Sequence, residues 1–148
     1  MPVMPVHLDD LASIASSVVK NLHPGIPILF FGPIGAGKST LVRAILKQIM
    51  PDLGHVPSPS FPIMIPYESP IGCLWHIDLY RITSAQELIP LGLLDVMRTD
   101  LCFIEWPQRL GAMMPTQYHT VTIDFIDDSS YRETPDLWRN IEISPMVR

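Results

Sequence analysis

The chain has 148 residues, enough for one domain with a buried core. Its net charge is −5 and it holds no Lys/Arg run, which excludes a basic groove that grips nucleic acid unaided. Apolar residues make up 47% and charged residues 17%, against about 25% charged in a typical soluble domain. That balance fits a small enzyme with a large core, or a surface that hides part of its apolar area against a partner. No stretch approaches the ~18 apolar residues of a membrane span. The start, Met1-Pro2-Val3-Met4-Pro5, lacks a basic region followed by an apolar one, so no signal peptide is expected and the location reads as cytoplasmic. Cys73 and Cys102 sit in apolar runs without CxxC or Cys/His spacing, so they read as buried, reduced thiols and not metal ligands.

Leu8, Leu11, Ile14, Ala15, Val18, Val19 and Leu22 recur at helical spacing. Asp9 and Asp10 lie near the start and Lys20 near the end, as the helix dipole favours, and His23-Pro24-Gly25 stops the helix. Ile26 to Phe31 is a continuous apolar run, the mark of a buried parallel strand. After a glycine-rich turn, Leu41, Val42, Ile45, Leu46 and Ile49 mark a second helix that ends before Pro51. A proline-rich loop runs to Ser60. Phe61 to Tyr67 reads as a strand that Pro62 and Pro66 push to a sheet edge. Ser69-Pro70-Ile71-Gly72 is a turn, and Cys73 to Tyr80 a second strong strand. Ser84-Ala85-Gln86-Glu87 is a capping box opening a short helix. Leu101 to Ile104 is a third strand ending at Glu105. Val121, Ile123 and Phe125 alternate with Thr122 and Asp124 as in a half-exposed strand; Ile141 and Ile143 suggest a last one, with a polar hairpin loop over 127–136 between them.

The strongest chemical signal is Gly32-Pro33-Ile34-Gly35-Ala36-Gly37-Lys38-Ser39, which fits G-x-x-x-x-G-K-[ST] between a buried strand and an amphipathic helix. Glycines let the backbone curl so that successive N–H groups face phosphate oxygens, and the helix adds its N-terminus. Lys38 would reach the β- and γ-phosphates and the Ser39 hydroxyl would ligate Mg²⁺. Such a site also needs an acid at a neighbouring strand end. Glu105 closes an apolar run, and Asp78 lies in His76-Ile77-Asp78-Leu79-Tyr80-Arg81, where alternation puts His76, Asp78 and Tyr80 on one face. That face is either functional or a solvated sheet surface. Ser58-Pro59-Ser60-Phe61 falls where P-loop proteins often carry a hydroxyl switch, and Trp106 lies at the mouth of the site or caps the core. Arg81 and Arg109 are either phosphate-compensating or surface arginines. These features predict an α/β fold: a single-domain P-loop NTPase over residues 1–148 with a mixed, mainly parallel central sheet flanked by helices.

Gly-x-x-Gly-Ala-Gly-Lys-Ser, Ser-Pro-Ser-Phe, His-Ile-Asp-Leu-Tyr-Arg, Glu-Leu-x-x-Leu-Gly-Leu at Glu87–Leu93 and Ile-Glu-Trp-Pro follow one another in this order. Together they resemble the TsaE (YjeE) family from about residue 8 to 125. The resemblance implies a small ATPase that works with TsaB and TsaD in making threonylcarbamoyladenosine (t6A) in tRNA, reaches tRNA only through those partners, and is weak alone. It implies phosphate contacts from Gly35, Ala36, Gly37, Lys38 and Thr40, Mg²⁺ held by Ser39, Glu105 and Asp78, and catalytic roles for Lys38, Asp78 and Glu105. Ser60 would be the switch hydroxyl and Trp106 a neighbour of the nucleotide. Pro33 and Gln108 depart from the acidic residues common in the family. The preference for ATP over GTP rests on the resemblance. The main rival is a small-molecule P-loop kinase, which usually needs an arginine-rich lid; no arginines cluster between Gly92 and Pro115. A sensor that binds without hydrolysing is disfavoured by the presence of both Asp78 and Glu105.

Overall fold

The apolar run before the glycine-rich turn lies at the centre of a mixed sheet in the computed structural model, which describes residues 2–127, 129–131 and 133–147. The strands are β1 (Met4–His7), β2 (Ile28–Phe31), β3 (Met64–Ser69), β4 (Gly72–Asp78), β5 (Leu101–Glu105), β6 (Tyr118–Phe125) and β7 (Trp138–Val147). The α-helices are α1 (Leu11–Val19), α2 (Lys38–Ile49) and α3 (Leu93–Thr99). The strand order is β1-β7-β6-β2-β5-β4-β3. Pairings β6–β2, β2–β5 and β5–β4 are parallel, and the outer pairings β1–β7, β7–β6 and β4–β3 are antiparallel.

Both faces of β2 are covered, which is why its sequence does not alternate. Ile28 and Phe30 join α1 and α2 in one cluster, while Leu29 faces the opposite cluster with Ile77, Ile104, Leu93 and Met97. Phe30 meets Phe103 edge-to-face at 6.2 Å, a preferred aromatic geometry.

The first helix is shorter than its periodicity suggests. Leu8–Asp10 forms a 3₁₀ turn in which His7 Nδ1 accepts from the Asp9 N–H, and the α-helix ends at Val19. Beyond it the Asn21 N–H tightens onto Val18 O, and the Asn21 side chain donates to Ser17 O. The strand expected over Phe61–Tyr67 begins only at Met64, because Ile63 has φ +67 and turns the chain first. It does lie at the sheet edge. The capping box opens a 3₁₀ turn, Ala85–Leu88, with Ser84 Oγ accepting from the Gln86 N–H. Strand β6 runs parallel to β2 and antiparallel to β7, so the late part of the chain joins the parallel core to the antiparallel edge. Short β1 and α3 have no counterpart in the sequence reading. Among the described residues, no helix is long and apolar enough to cross a membrane.

Candidate nucleotide-binding site

The parallel register brings three strand ends together. Phe30 lies opposite Glu105, and Glu105 opposite Asp78, so the loop after β2 opens beside two carboxylates. That loop needs glycine. Gly32, Gly35 and Gly37 have φ of +149, +76 and +109, a region that favours glycine. A Cβ on Gly35 or Gly37 would meet nothing within 4 Å, so the backbone there is open to a ligand. A Cβ on Gly32 would lie 2.2 Å from Ile123 O, because the turn passes directly over β6.

Lys38 starts α2 with only 5% of its surface exposed. Its Nζ donates to Gly32 O at 2.7 Å and Pro33 O at 2.8 Å, and lies 4.3 Å from the centre of the Trp106 ring. An ammonium has three donors, so one remains for an anion. Burial pulls the Lys38 pKa below its ordinary value, while Glu105 and Asp78 pull it back up. Ser39 Oγ sits 2.8 Å and 2.9 Å from the two Glu105 oxygens. Glu105 is 2% exposed, and its Oε2 lies 2.6 Å from His76 Nε2. Asp78 Oδ2 accepts from Ser60 Oγ at 3.1 Å, and Oδ1 accepts from the Tyr80 N–H at 2.9 Å. Ser60 Oγ is also 2.9 Å from Ser58 Oγ.

These groups surround a cleft of about 400 Å³ whose lining includes Gly35, Gly37, Lys38, Ser39, Thr40 and Ser60, together with Asp78, Glu105 and Trp106. Ala36 turns its side chain away, into the core, while its backbone remains in the loop. Arg81 reaches the cleft, where its guanidinium stacks 4.1 Å from the Phe61 ring, whereas Arg109 does not line it. Trp106 has φ +57, uncommon for a bulky residue, and packs 5.0 Å from the Tyr80 ring. A non-glycine residue held there costs on the order of 1–3 kcal/mol, and such residues cluster at functional sites.

His76 is the residue whose part sequence reasoning left open. It is fully buried and its ring meets Glu105 behind the cleft, so the polar face of β4 is not a solvated surface. Arg139 was missed outright: from β7 it donates to the carbonyl of Ala36.

The donor set suits Mg²⁺ shared with phosphate. Adjacent carboxylates and a hydroxyl are hard oxygen donors, and a divalent cation relieves the repulsion between the acids. No group of three or more His, Cys, Asp or Glu among the described residues is placed to hold a metal. Mg²⁺ in phosphate sites typically takes only one or two carboxylates, with phosphate and water completing the shell.

A strand, a glycine-rich turn, a helix that starts with Lys-Ser and an acid on the neighbouring strand define the P-loop class of nucleotide-binding folds. Within that class, residues 6–134 match the family model described as "Threonylcarbamoyl adenosine biosynthesis protein TsaE", and the chain belongs to this family. It is 33% identical to the tRNA threonylcarbamoyladenosine biosynthesis protein TsaE of Haemophilus influenzae over 86% of this chain and 77% of that one. It is 29% identical to the Rickettsia bellii TsaE over 81% and 83%. Among solved structures it resembles YdiB of Bacillus subtilis, with a TM-score of 0.67 and 19% identity, over 99% of this chain and 88% of that one.

Proposed function

We propose that this protein binds ATP with Mg²⁺ in the P-loop cleft and hydrolyses it as the ATPase of the t6A-forming machinery, supporting repeated turnover of a TsaB–TsaD pair. The observation that carries the reading is the contact of both Glu105 oxygens with the Ser39 hydroxyl at the foot of the phosphate loop. Two residues 66 positions apart in sequence meet where the β- and γ-phosphates would bridge to a cation.

Bound Mg²⁺ supplies charge neutralisation of the phosphate oxygens and orients them for attack. The chain does the rest. The Gly35–Gly37 backbone and the start of α2, with Thr40, donate N–H groups to phosphate. Lys38 adds a positive charge whose position is set by two carbonyls and the Trp106 face. Ser39 and Glu105, which now hydrogen-bond each other, would hold the cation. Asp78, held through Ser60 and the Tyr80 N–H, presents its carboxylate where a water can be ordered beside the metal. The Ser60 loop is thereby tied to the same acid, which suits a switch that responds to the terminal phosphate.

The net negative charge fits a protein that meets tRNA only through its partners. The test is steady-state ATP hydrolysis by the purified chain, alone and mixed with TsaB and TsaD of the same organism, with Lys38→Ala as control. Hydrolysis that rises on mixing and vanishes in the variant supports the reading. Hydrolysis indifferent to the partners refutes it and favours a small-molecule kinase.

A further inference from the structure

We propose that Arg139 is a positioning residue for the phosphate loop: it fixes the Ala36–Gly37 peptide so that the Gly37 N–H faces the phosphates. This rests on reading the cleft as a polyphosphate site.

Arg139 lies on β7, is 8% exposed, and sits beyond the residues 6–134 that carry the family match. Its Nε donates to Ala36 O at 2.9 Å. Its Nη1 donates to Asp136 O at 2.9 Å and Trp138 O at 2.7 Å, and the guanidinium lies 4.8 Å from the Phe125 ring centre. Among the described residues it forms no ion pair. A buried charge is costly unless something compensates it. Among the described residues its hydrogen-bond acceptors are all neutral backbone carbonyls, one of them in the loop itself, so its positive charge stands behind the loop.

The geometry then follows from the peptide bond. In a trans, planar peptide the C=O and the following N–H point in opposite directions. With Ala36 O drawn toward Arg139, the Gly37 N–H points to the other side, where Gly37, Lys38 and Ser39 line the cleft. The preceding turn is already held, since the Ala36 N–H donates to Pro33 O at 3.2 Å. The next link is not held by sterics: Gly35 and Gly37 have open space around them and glycine freedom in φ. Among the described residues Arg139 is the one hydrogen-bond partner of the Ala36 carbonyl, so without it nothing pins the tilt of the Ala36–Gly37 peptide plane directly. With it, a charge-assisted bond fixes the plane and polarises the N–H at its far end.

The test measures binding of ATP, ADP and AMP by calorimetry, together with the Gly37 amide resonance of ¹⁵N-labelled protein without nucleotide. Arg139→Met is expected to weaken ATP and ADP about tenfold, the scale of one charged hydrogen bond, to leave AMP within about twofold, and to shift the Gly37 amide. Arg139→Lys restores most of the ATP affinity; Arg139→Gln does not. Tyr131→Leu, which removes the ring packed 4.7 Å from Trp138, controls for a loosened hairpin and is expected to lower the melting temperature without changing the ATP/AMP ratio. Wild-type protein that binds none of the three overturns the nucleotide reading and this inference with it. Wild-type binding with unchanged ATP affinity in Arg139→Met, or equal losses for ATP and AMP, overturns this inference alone. Should Arg139→Met fail to fold, equal ATP affinity of the Lys and Gln variants has the same force.

Discussion

Replacing Gly32 with alanine places a methyl carbon 2.2 Å from Ile123 O and 3.2 Å from its carbonyl carbon, on a backbone with φ +149. Neither neighbour gives way easily. Ile123 belongs to β6, which is paired with β2 on one side and β7 on the other. Two separate costs arise. Forcing atoms into a packed region costs typically 1–3 kcal/mol, and the backbone strain about as much again. Gly72→Ala is the matched reference, because Gly72 has φ +118 with nothing within 4 Å of the added carbon. It meets the second cost alone. Gly32→Ala is therefore expected to lose about 2–6 kcal/mol in urea unfolding without nucleotide, and Gly72→Ala about 1–3 kcal/mol. For a chain of this size each kcal/mol lowers the melting temperature by about 2–4 °C, so scanning fluorimetry resolves the two. Equal stability of the two variants would refute the claim that β6 limits the loop.

Other expectations follow from the same site. His76→Leu leaves the buried Glu105 carboxylate with Ser39 as its side-chain partner and should cost about 2–3 kcal/mol. In a double-mutant cycle with Glu105→Gln, the two losses should be strongly non-additive. Lys38→Met should abolish ATP binding yet leave the nucleotide-free protein at least as stable as wild type at pH 7. Burial lowers the Lys38 pKa from 10.5, so between its folded and unfolded values the unfolded chain binds more protons and wild-type stability rises with pH. The advantage of the methionine variant should shrink as pH rises toward 10.5, read by thermal melts. The Cys102 thiol is pushed up to about 12 by burial, with Asp100 adding to it. Iodoacetamide at pH 8 should leave Cys102 unlabelled in native protein and label it in urea, as mass spectrometry of the peptides would report.

Much of the central architecture was legible because its signals are local. The continuous run Ile26–Phe31, the glycine spacing after it and the helical period of Leu41–Ile49 each reside in one short window. Glu105 was legible for the same reason, as an acid closing an apolar strand. The elements that escaped depend on contacts between distant segments. β1 is four residues long with proline at its second position, and it exists because β7 offers it an edge. The part played by His76 depends on the β4–β5 register, which places it where its ring reaches Glu105. Arg139 touches the phosphate loop only because β7 lies beside β6 and the loop crosses β6. A lone arginine in a strand carries no mark of that. The strand expected over Phe61–Tyr67 was displaced because the positive φ at Ile63 holds Ser60 near Asp78 before pairing begins.

The strand order also has a consequence for how the chain comes off the ribosome. The phosphate loop is made well before its supports, because β2 has its partners in β5 and β6, about seventy and ninety residues later. Its rear brace arrives with residue 139 of 148. A nascent or truncated chain thus displays the full Gly-Lys-Ser signature while lacking both neighbours of the strand that holds it. Closing such long loops is slow compared with local helix formation. The cleft is therefore complete only once β7 has joined β6 and β1, long after its signature residues were made.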